Sequence, residues 1–257
     1  MGHSTDSEKI EVVVAPNEQL HLLESIADKY SLTKINKGDI DSRLCFSNIG
    51  SFLSLEKNFS GVLVKLVVDF SSGKMKYRLE KGGGKQQPMA RAIGATKNSN
   101  LQVLDATAGL GVDAFVMASF GCQLTMLEQS FVVYELLLDG LQRASDDVQV
   151  SHIVNRMNLI NTNSVDYLKT TKEKFDVIYL DPMYPHRKKS AKVKKDMQIL
   201  QYLLSEQNDG DLLFTQACLS DVKRVVVKRP LQADPLCAKS PTHSIFSKKT
   251  RFDVYLK

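Results

Sequence analysis

Residues 101–114 read Leu-Gln-Val-Leu-Asp-Ala-Thr-Ala-Gly-Leu-Gly-Val-Asp-Ala, an apolar strand pattern that runs through a glycine turn into a helix. From there to the carboxyl terminus apolar runs alternate with helical periodicity, the pattern of βαβ units around a parallel sheet. The spacing predicts strands at Gln102–Asp105, Leu124–Glu128, Asn158–Asn161, Val177–Asp181, Arg224–Lys228 and Phe252–Leu256. Helices are predicted at about Val112–Phe120, Phe131–Ala144, Ser190–Leu204 and Leu212–Leu219. The fold class is therefore α/β, with a mostly parallel sheet flanked by helices.

Upstream the texture is irregular. Strand-like runs at Glu11–Ala15, Arg43–Phe46 and Gly61–Phe70, with one amphipathic stretch at Asn17–Tyr30, describe a small N-terminal α+β domain over residues 1–80. Three consecutive glycines followed by Pro88 cannot continue a regular element, so residues 81–100 read as a linker and residues 101–257 as the main domain.

An apolar content of 43% over 257 residues suffices for a proper core. The four cysteines (Cys45, Cys122, Cys218, Cys237) are scattered, with no paired spacing and no histidine cluster, so reduced thiols are expected and a metal site is not. The first residues are polar and acidic where a secretory signal would be basic and then apolar, and the apolar run Val62–Phe70 carries Lys65 and is too short to span a bilayer. The expectation is a cytoplasmic protein with no membrane partner; the oligomeric state is left open. Charge is unevenly spread, at +3 over residues 1–100, −6 over 101–181 and +8 over 182–257. Either one side meets a polyanion or the lysines are solvated surface.

The glycine loop allows two readings. Gly109-x-Gly111-x-x-Ala114 fits a dinucleotide fingerprint. In such a site, however, the tight turn follows the strand directly, whereas here Asp105 ends the strand four residues before Gly109. A carboxylate at that point suits a ligand carrying an ammonium group, as S-adenosylmethionine (SAM) does. Glu128, 23 residues on, closes the next strand, where an acid can accept both ribose hydroxyls. Asn163 and Ser164 follow the third strand and either bond an adenine or form a plain turn.

The fourth strand, Phe175-Asp-Val-Ile-Tyr-Leu180, delivers Asp181-Pro182-Met183-Tyr184-Pro185 at its carboxyl end, where open α/β sheets bind ligands. An exocyclic amine on a base is a poor nucleophile, because its lone pair is delocalised into the ring. The Asp181 carboxylate and the Pro182 carbonyl can accept its N–H bonds and free the lone pair, while Tyr184 can stack on a base taken out of its stack. The tetrapeptide resembles the D/N-P-P-Y/F motif of amino-methylating enzymes, with Met183 in place of the second proline.

Immediately downstream, residues 186–195 carry Arg187, Lys188, Lys189, Lys192, Lys194 and Lys195. On a helix Lys188, Lys192 and Lys195 share one face, a spacing that suits successive phosphates or a solvated surface. His186 can move a proton, touch phosphate or be structural. Lys85 and Arg91, in the glycine-rich segment, complete the candidate RNA contacts.

Together the stretches Asp105-Ala-Thr-Ala-Gly-Leu-Gly, Asp181-Pro-Met-Tyr-Pro-His, Lys-Lys-Asp-Met, Arg224-Val-Val-Val-Lys-Arg-Pro and Arg251-Phe-Asp-Val-Tyr resemble the ribosomal RNA small subunit methyltransferase J family over roughly residues 80–257. The resemblance implies a Rossmann-like SAM-dependent methyltransferase fold and methylation of a guanosine N2 in 16S rRNA, as free rRNA or in the small subunit. It implies cofactor contacts at Val112, Asp113, Glu128, Gln129, Asn163, Ser164 and Asp181, beside Asp105, Gly109 and Gly111. Where relatives commonly have Arg-Asp, Glu-Arg and Ser-Ser, this chain has Val112-Asp113, Glu128-Gln129 and Asn163-Ser164. The competing readings are an amino-group methyltransferase on DNA or another RNA, a non-catalytic RNA-binding protein on a degenerate cofactor fold and, last, a dehydrogenase.

Overall fold

A computed structural model describes residues 10–13, 20–35, 44–81, 83–98, 100–182, 198–200, 203 and 210–257. Their contacts divide the chain into two compact units, one of residues 1–68 and 185–207, the other of residues 69–184 and 208–257.

In the first unit, β1 (Ile10–Val13), β2 (Thr33–Ile35), β3 (Leu44–Ile49), β4 (Phe52–Phe59) and β5 (Val62–Leu66) form a five-stranded sheet, ordered β2-β1-β3-β4-β5, and helix α1 (Leu20–Tyr30) joins β1 to β2. β1 runs parallel to both neighbours, while β3, β4 and β5 form an antiparallel meander. The longest strand, β4, does not stand out in the sequence because Glu56 interrupts its apolar alternation. Glu56 is nonetheless buried, accepting from Ser54 Oγ at 3.2 Å and pairing with Lys65 at 3.1 Å.

The second unit begins with α2 (Gly73–Lys81), a 3₁₀ turn at Gly84–Gln86 and α3 (Pro88–Ile93). The segment read as a linker is thus partly helical. Pro88 occupies the first helical turn, Gly94 closes the helix at φ +85°, and Met89, Ala90, Ala92 and Ile93 are buried. Next come β6 (Gln102–Asp105), α4 (Val112–Ser119), β7 (Gln123–Glu128), α5 (Phe131–Ser145), α6 (Ser151–Val154), β8 (Met157–Asn161), α7 (Ser164–Thr170) and β9 (Val177–Leu180). The chain ends with α8 (Gly210–Leu219), β10 (Arg224–Pro230), β11 (His243–Phe246) and β12 (Thr250–Leu256). The predicted helix at Ser190–Leu204 falls largely outside the described residues.

These strands form a seven-stranded sheet ordered β11-β12-β10-β9-β6-β7-β8. Five strands are parallel, and β12 and β11 are antiparallel additions at one edge. Leu104, Leu127, Ile178, Leu180, Val225 and Val227 pack with Phe214 and Tyr255 in one core. On another part of the unit Phe70 stacks on Phe115, with ring centroids 5.0 Å apart. This is the predicted α/β fold. α2, α6, α7 and β11 are additions to it: the helices are short, and β11 lacks an apolar run. No described helix is long and apolar enough to cross a membrane. The described residues hold no cluster of three or more metal-ligating side chains, and all four cysteines are free thiols.

Candidate active site

From β6 the chain winds outward to β7 and β8, then returns to place β9 and β10 on the other side of β6. Such a reversal opens a crevice beyond the carboxyl ends of the two central strands. Asp105 ends β6 and Asp181 follows β9, so the two predicted acids meet at this switch point. Thr107 links them: its N–H donates to Asp105 Oδ1 at 3.1 Å, and its Oγ1 accepts the Asp181 N–H at 2.7 Å.

Asp105 is 1% exposed. Burial pushes its carboxyl up to about 7; Asp113 and Asp181 add to the rise, and the Thr107 N–H and Lys228 oppose it. A cationic ligand group relieves such a carboxyl, and the loop that follows it is open at Gly109. A Cβ on Gly109, at φ +52°, would meet nothing nearer than the Thr107 carbonyl at 4.0 Å. Gly111, at φ +70°, has the opposite reason for being glycine: a Cβ there would stand 2.7 Å from Leu137 Cδ1. Gly111 is the N-cap of α4, so Val112 and Asp113 form that helix's first turn.

Beside the glycine loop, on the neighbouring strand, Glu128 closes β7, with one carboxylate oxygen accepting the Gly109 N–H at 3.0 Å and the other the Ser130 N–H at 2.8 Å. These two bonds fix the carboxylate against the glycine loop. Gln129 Oε1 accepts from Asn163 Nδ2 at 2.8 Å, and Asn163 Oδ1 caps α7 through the N–H groups of Val165 and Asp166. Ser164 Oγ donates to the Ala106 carbonyl at 2.7 Å, tying the start of α7 to the end of β6. The two polar pairs predicted from sequence therefore line one side of the crevice, and Asn163 is a helix cap as well.

On the other side lies a charged network. Lys228, on β10, donates to Asp113 Oδ2 at 2.6 Å and to Asp181 Oδ2 at 2.8 Å. Asp113 also accepts from the Tyr179 hydroxyl at 2.8 Å and from Arg78 at 3.0 Å. Burial works to raise the Asp113 pKa, but the charges and hydrogen bonds of Lys228, Arg78 and Tyr179 outweigh it and hold the carboxyl low. Burial also works to discharge Lys228, and the two carboxylates reverse this and keep it protonated. Burial holds Asp181 above the usual carboxylate range; Asp113 adds to this, and Lys228 pulls it back down. The Asp181 side chain remains 40% exposed, and no described residue donates to its second oxygen. Pro182 is seated against Gly210, where a Cβ would approach the proline Cβ to 3.2 Å.

Met183, Tyr184, His186, Arg187, Lys188, Lys189, Lys192 and Lys195 lie outside the described residues. Lys85 is exposed and stands near Cys122 with Asp176, at the amino edge of the sheet, opposite Asp181. Arg91 sits on α3, whose Ala92 carbonyl accepts Arg224 Nη1 at that same amino edge of β10. The structure thus brings neither residue to the crevice. Sequence reasoning missed Lys228, Arg78, Tyr179 and Thr107. The available signal was Lys228 itself, a cation ending a run of three buried valines level with Asp181.

Comparison with known proteins gives the family. A family model described as "Putative SAM-dependent methyltransferase" matches residues 25–257. Ribosomal RNA small subunit methyltransferase J of Shewanella piezotolerans is 44% identical over 94% of this chain and 89% of its own length. The same-named protein of Colwellia psychrerythraea is 51% identical over 74% of this chain and 70% of its own. The crystal structure of a SAM-dependent methyltransferase from Neisseria gonorrhoeae superposes with a TM-score of 0.71 at 33% identity, covering 96% of this chain and 95% of that one. The chain belongs to the ribosomal RNA small subunit methyltransferase J family of SAM-dependent methyltransferases.

Proposed function

We propose that the protein works in the cytoplasm and methylates the N2 amino group of a guanosine in 16S rRNA, as free rRNA or in the small subunit, with Asp181 and Pro182 at the reacting nitrogen. The observation that carries this reading is the Lys228-held Asp181 carboxylate, placed across the switch-point crevice from a glycine loop flanked by two acids. The family membership supplies ribosomal RNA as the substrate class.

Bound SAM would supply a methyl group activated by its sulfonium. Asp105, near the glycine loop, faces the ligand's ammonium group. Glu128 and Gln129 take the ribose, Asn163 and Ser164 the base, and the backbone of Gly109, Gly111, Val112 and Asp113 the remainder. The Asp113 side chain is committed to Lys228, Arg78 and Tyr179 and acts through them. Asp181 and the Pro182 carbonyl accept the amino hydrogens of the guanine, which localises the nitrogen lone pair and aims it for in-line attack. Asp181 then accepts the proton that the methylated nitrogen sheds. Tyr184 is the stacking partner for the extruded base and the lysines of residues 186–195 are phosphate contacts, as in the sequence reading; Lys85 and Arg91, at the opposite edge, are not part of this RNA surface.

The test is transfer of labelled methyl from SAM to free 16S rRNA and to small subunits, followed by nucleoside analysis. N2-methylguanosine is the expected product. Label on another amino group would move the substrate, and SAM-free RNA binding would favour the non-catalytic reading.

The same geometry ties SAM affinity to pH. A ligand ammonium group beside Asp105 must lower a carboxyl that sits at about 7 in the free protein, so binding below that pH expels a proton. SAM affinity should therefore rise from pH 5.5 to 7.5, until the ligand's own amino group, at about 7.7–8.0, begins to discharge. The groups facing Asp105 are Thr107, Asp113, Asp181 and Lys228, and of these Asp113 and Lys228 hold their charge across the window. Calorimetry across that range should show the rise in wild type and a flat, weaker profile in Asp105→Asn. An equal slope in both would remove Asp105 from the site.

A further inference from the structure

We infer that the hairpin joining β11 to β12 is a second RNA-docking element, in which Phe246 stacks on a base and Lys248 and Lys249 hold phosphates of the strand flanking the target. The inference rests on the RNA-methylating function proposed above and names a surface that the function does not by itself require.

Strand direction puts the hairpin at the right edge. β12 is antiparallel to β10, so Thr250 lies opposite Pro230, and Phe246 lies opposite Arg251 on the outermost strand. The turn therefore stands at the carboxyl edge of the parallel strands, the edge that carries Asp181. Asp181 is level with Lys228, two residues short of Pro230. With strands about 4.8 Å apart and rising about 3.3 Å per residue, the turn lies on the order of 10–15 Å from Asp181, within reach of a few nucleotides.

The turn is built to hold its shape. Ser247 N–H donates to the Thr250 carbonyl at 2.8 Å, which closes the four-residue turn and sets the two lysines at its tip. Arg251 makes a fork of bonds to Asp253, at 2.8 and 3.0 Å, and reaches across to the Leu231 carbonyl at 2.8 Å. Asp253 is fully buried and also accepts from Ser244 Oγ at 2.6 Å. The Arg251-Phe-Asp-Val-Tyr motif noted in the sequence thus braces the hairpin to the end of β10. What the brace presents is an aromatic ring 64% exposed beside two exposed lysines. A ring and cations together form the surface that single-stranded RNA uses for base stacking and phosphate pairing.

The test measures affinity for 16S rRNA at several salt concentrations, with SAM affinity by calorimetry as the check on the fold. Phe246→Ala should weaken RNA binding about tenfold and Phe246→Tyr should restore it. The double variant Lys248→Glu/Lys249→Glu should weaken it at least as much and lower the salt slope by about two. In both, kcat/KM for RNA falls chiefly through KM, and SAM affinity stays at the wild-type value. Wild-type methyl transfer together with unchanged RNA affinity and salt slope in the variants would overturn the hairpin inference alone. A loss of self-association in Phe246→Ala with RNA affinity intact would overturn it in favour of a contact between copies. No transfer by the wild type would overturn the proposed function and this inference with it.

Discussion

Asp181→Ala should lower kcat for rRNA methylation by about 10²–10³-fold, the range for loss of one preorganised electrostatic contact at a reacting centre. SAM affinity should change by less than tenfold, because Asp105, Glu128 and the glycine loop stand on other elements. The fold should survive, since Lys228 keeps its bond to Asp113 and the Asp181 side chain is 40% exposed. Asp181→Asn is the sharper comparison. An amide retains one acceptor for the guanine amino group, so the Asn variant should keep clearly more activity than the Ala variant. Single-turnover kinetics with saturating SAM separates the chemical step from binding. A wild-type rate in Asp181→Ala would remove this residue from the reacting centre.

The parts of the site legible in sequence are those that sit next to one another in the chain. Asp105 ahead of the glycine turn, Glu128 at the following strand end and Asp181-Pro182 after an apolar run each mark the carboxyl end of a parallel strand, and the βαβ alternation places those ends together. Lys228 was not legible as part of the site, because a lysine after three valines reads equally as the solvated end of a strand. Only the parallel register of β10 with β9 carries it level with Asp181. Asp113 shows the same limit in reverse. The family resemblance implies a ligand contact there, whereas its side chain is taken by residues 35, 66 and 115 positions away. Lys85 and Arg91 are basic residues in the glycine-rich segment, and nothing in that segment tells which edge of the sheet it meets. Pro88 starts and Gly94 closes a helix that holds Arg91 at the far edge, where Lys85 also stands.

Lys228→Met tests whether the charged network serves catalysis or only the fold. Removing the cation leaves Asp113 with Arg78 and Tyr179 alone, and should destabilise the protein by about 1–3 kcal/mol. This lies below the figure for a fully buried pair, because the Lys228 side chain is 23% exposed and its partners are 12% and 40% exposed. The effect on the reaction should be larger than that loss explains. Without Lys228, burial and the Asp113 charge act on Asp181 unopposed by their nearest cation, and its carboxyl rises further. The acceptor must be ionised to work, so activity falls as pH drops through the Asp181 pKa, and the acid limb of the rate profile should move to higher pH in the variant. At neutral pH kcat should fall about 10²-fold with the KM for SAM little changed, and raising the pH should recover part of the loss. Lys228→Arg, which keeps the charge, should keep the wild-type limb. The double variant Asp113→Asn/Lys228→Met removes the stranded charge and should regain stability measured by urea unfolding. If the network is only structural, the rate returns with the stability. If Lys228 positions Asp181, the double variant is stable and still slow, because no cation remains to hold the acceptor in place.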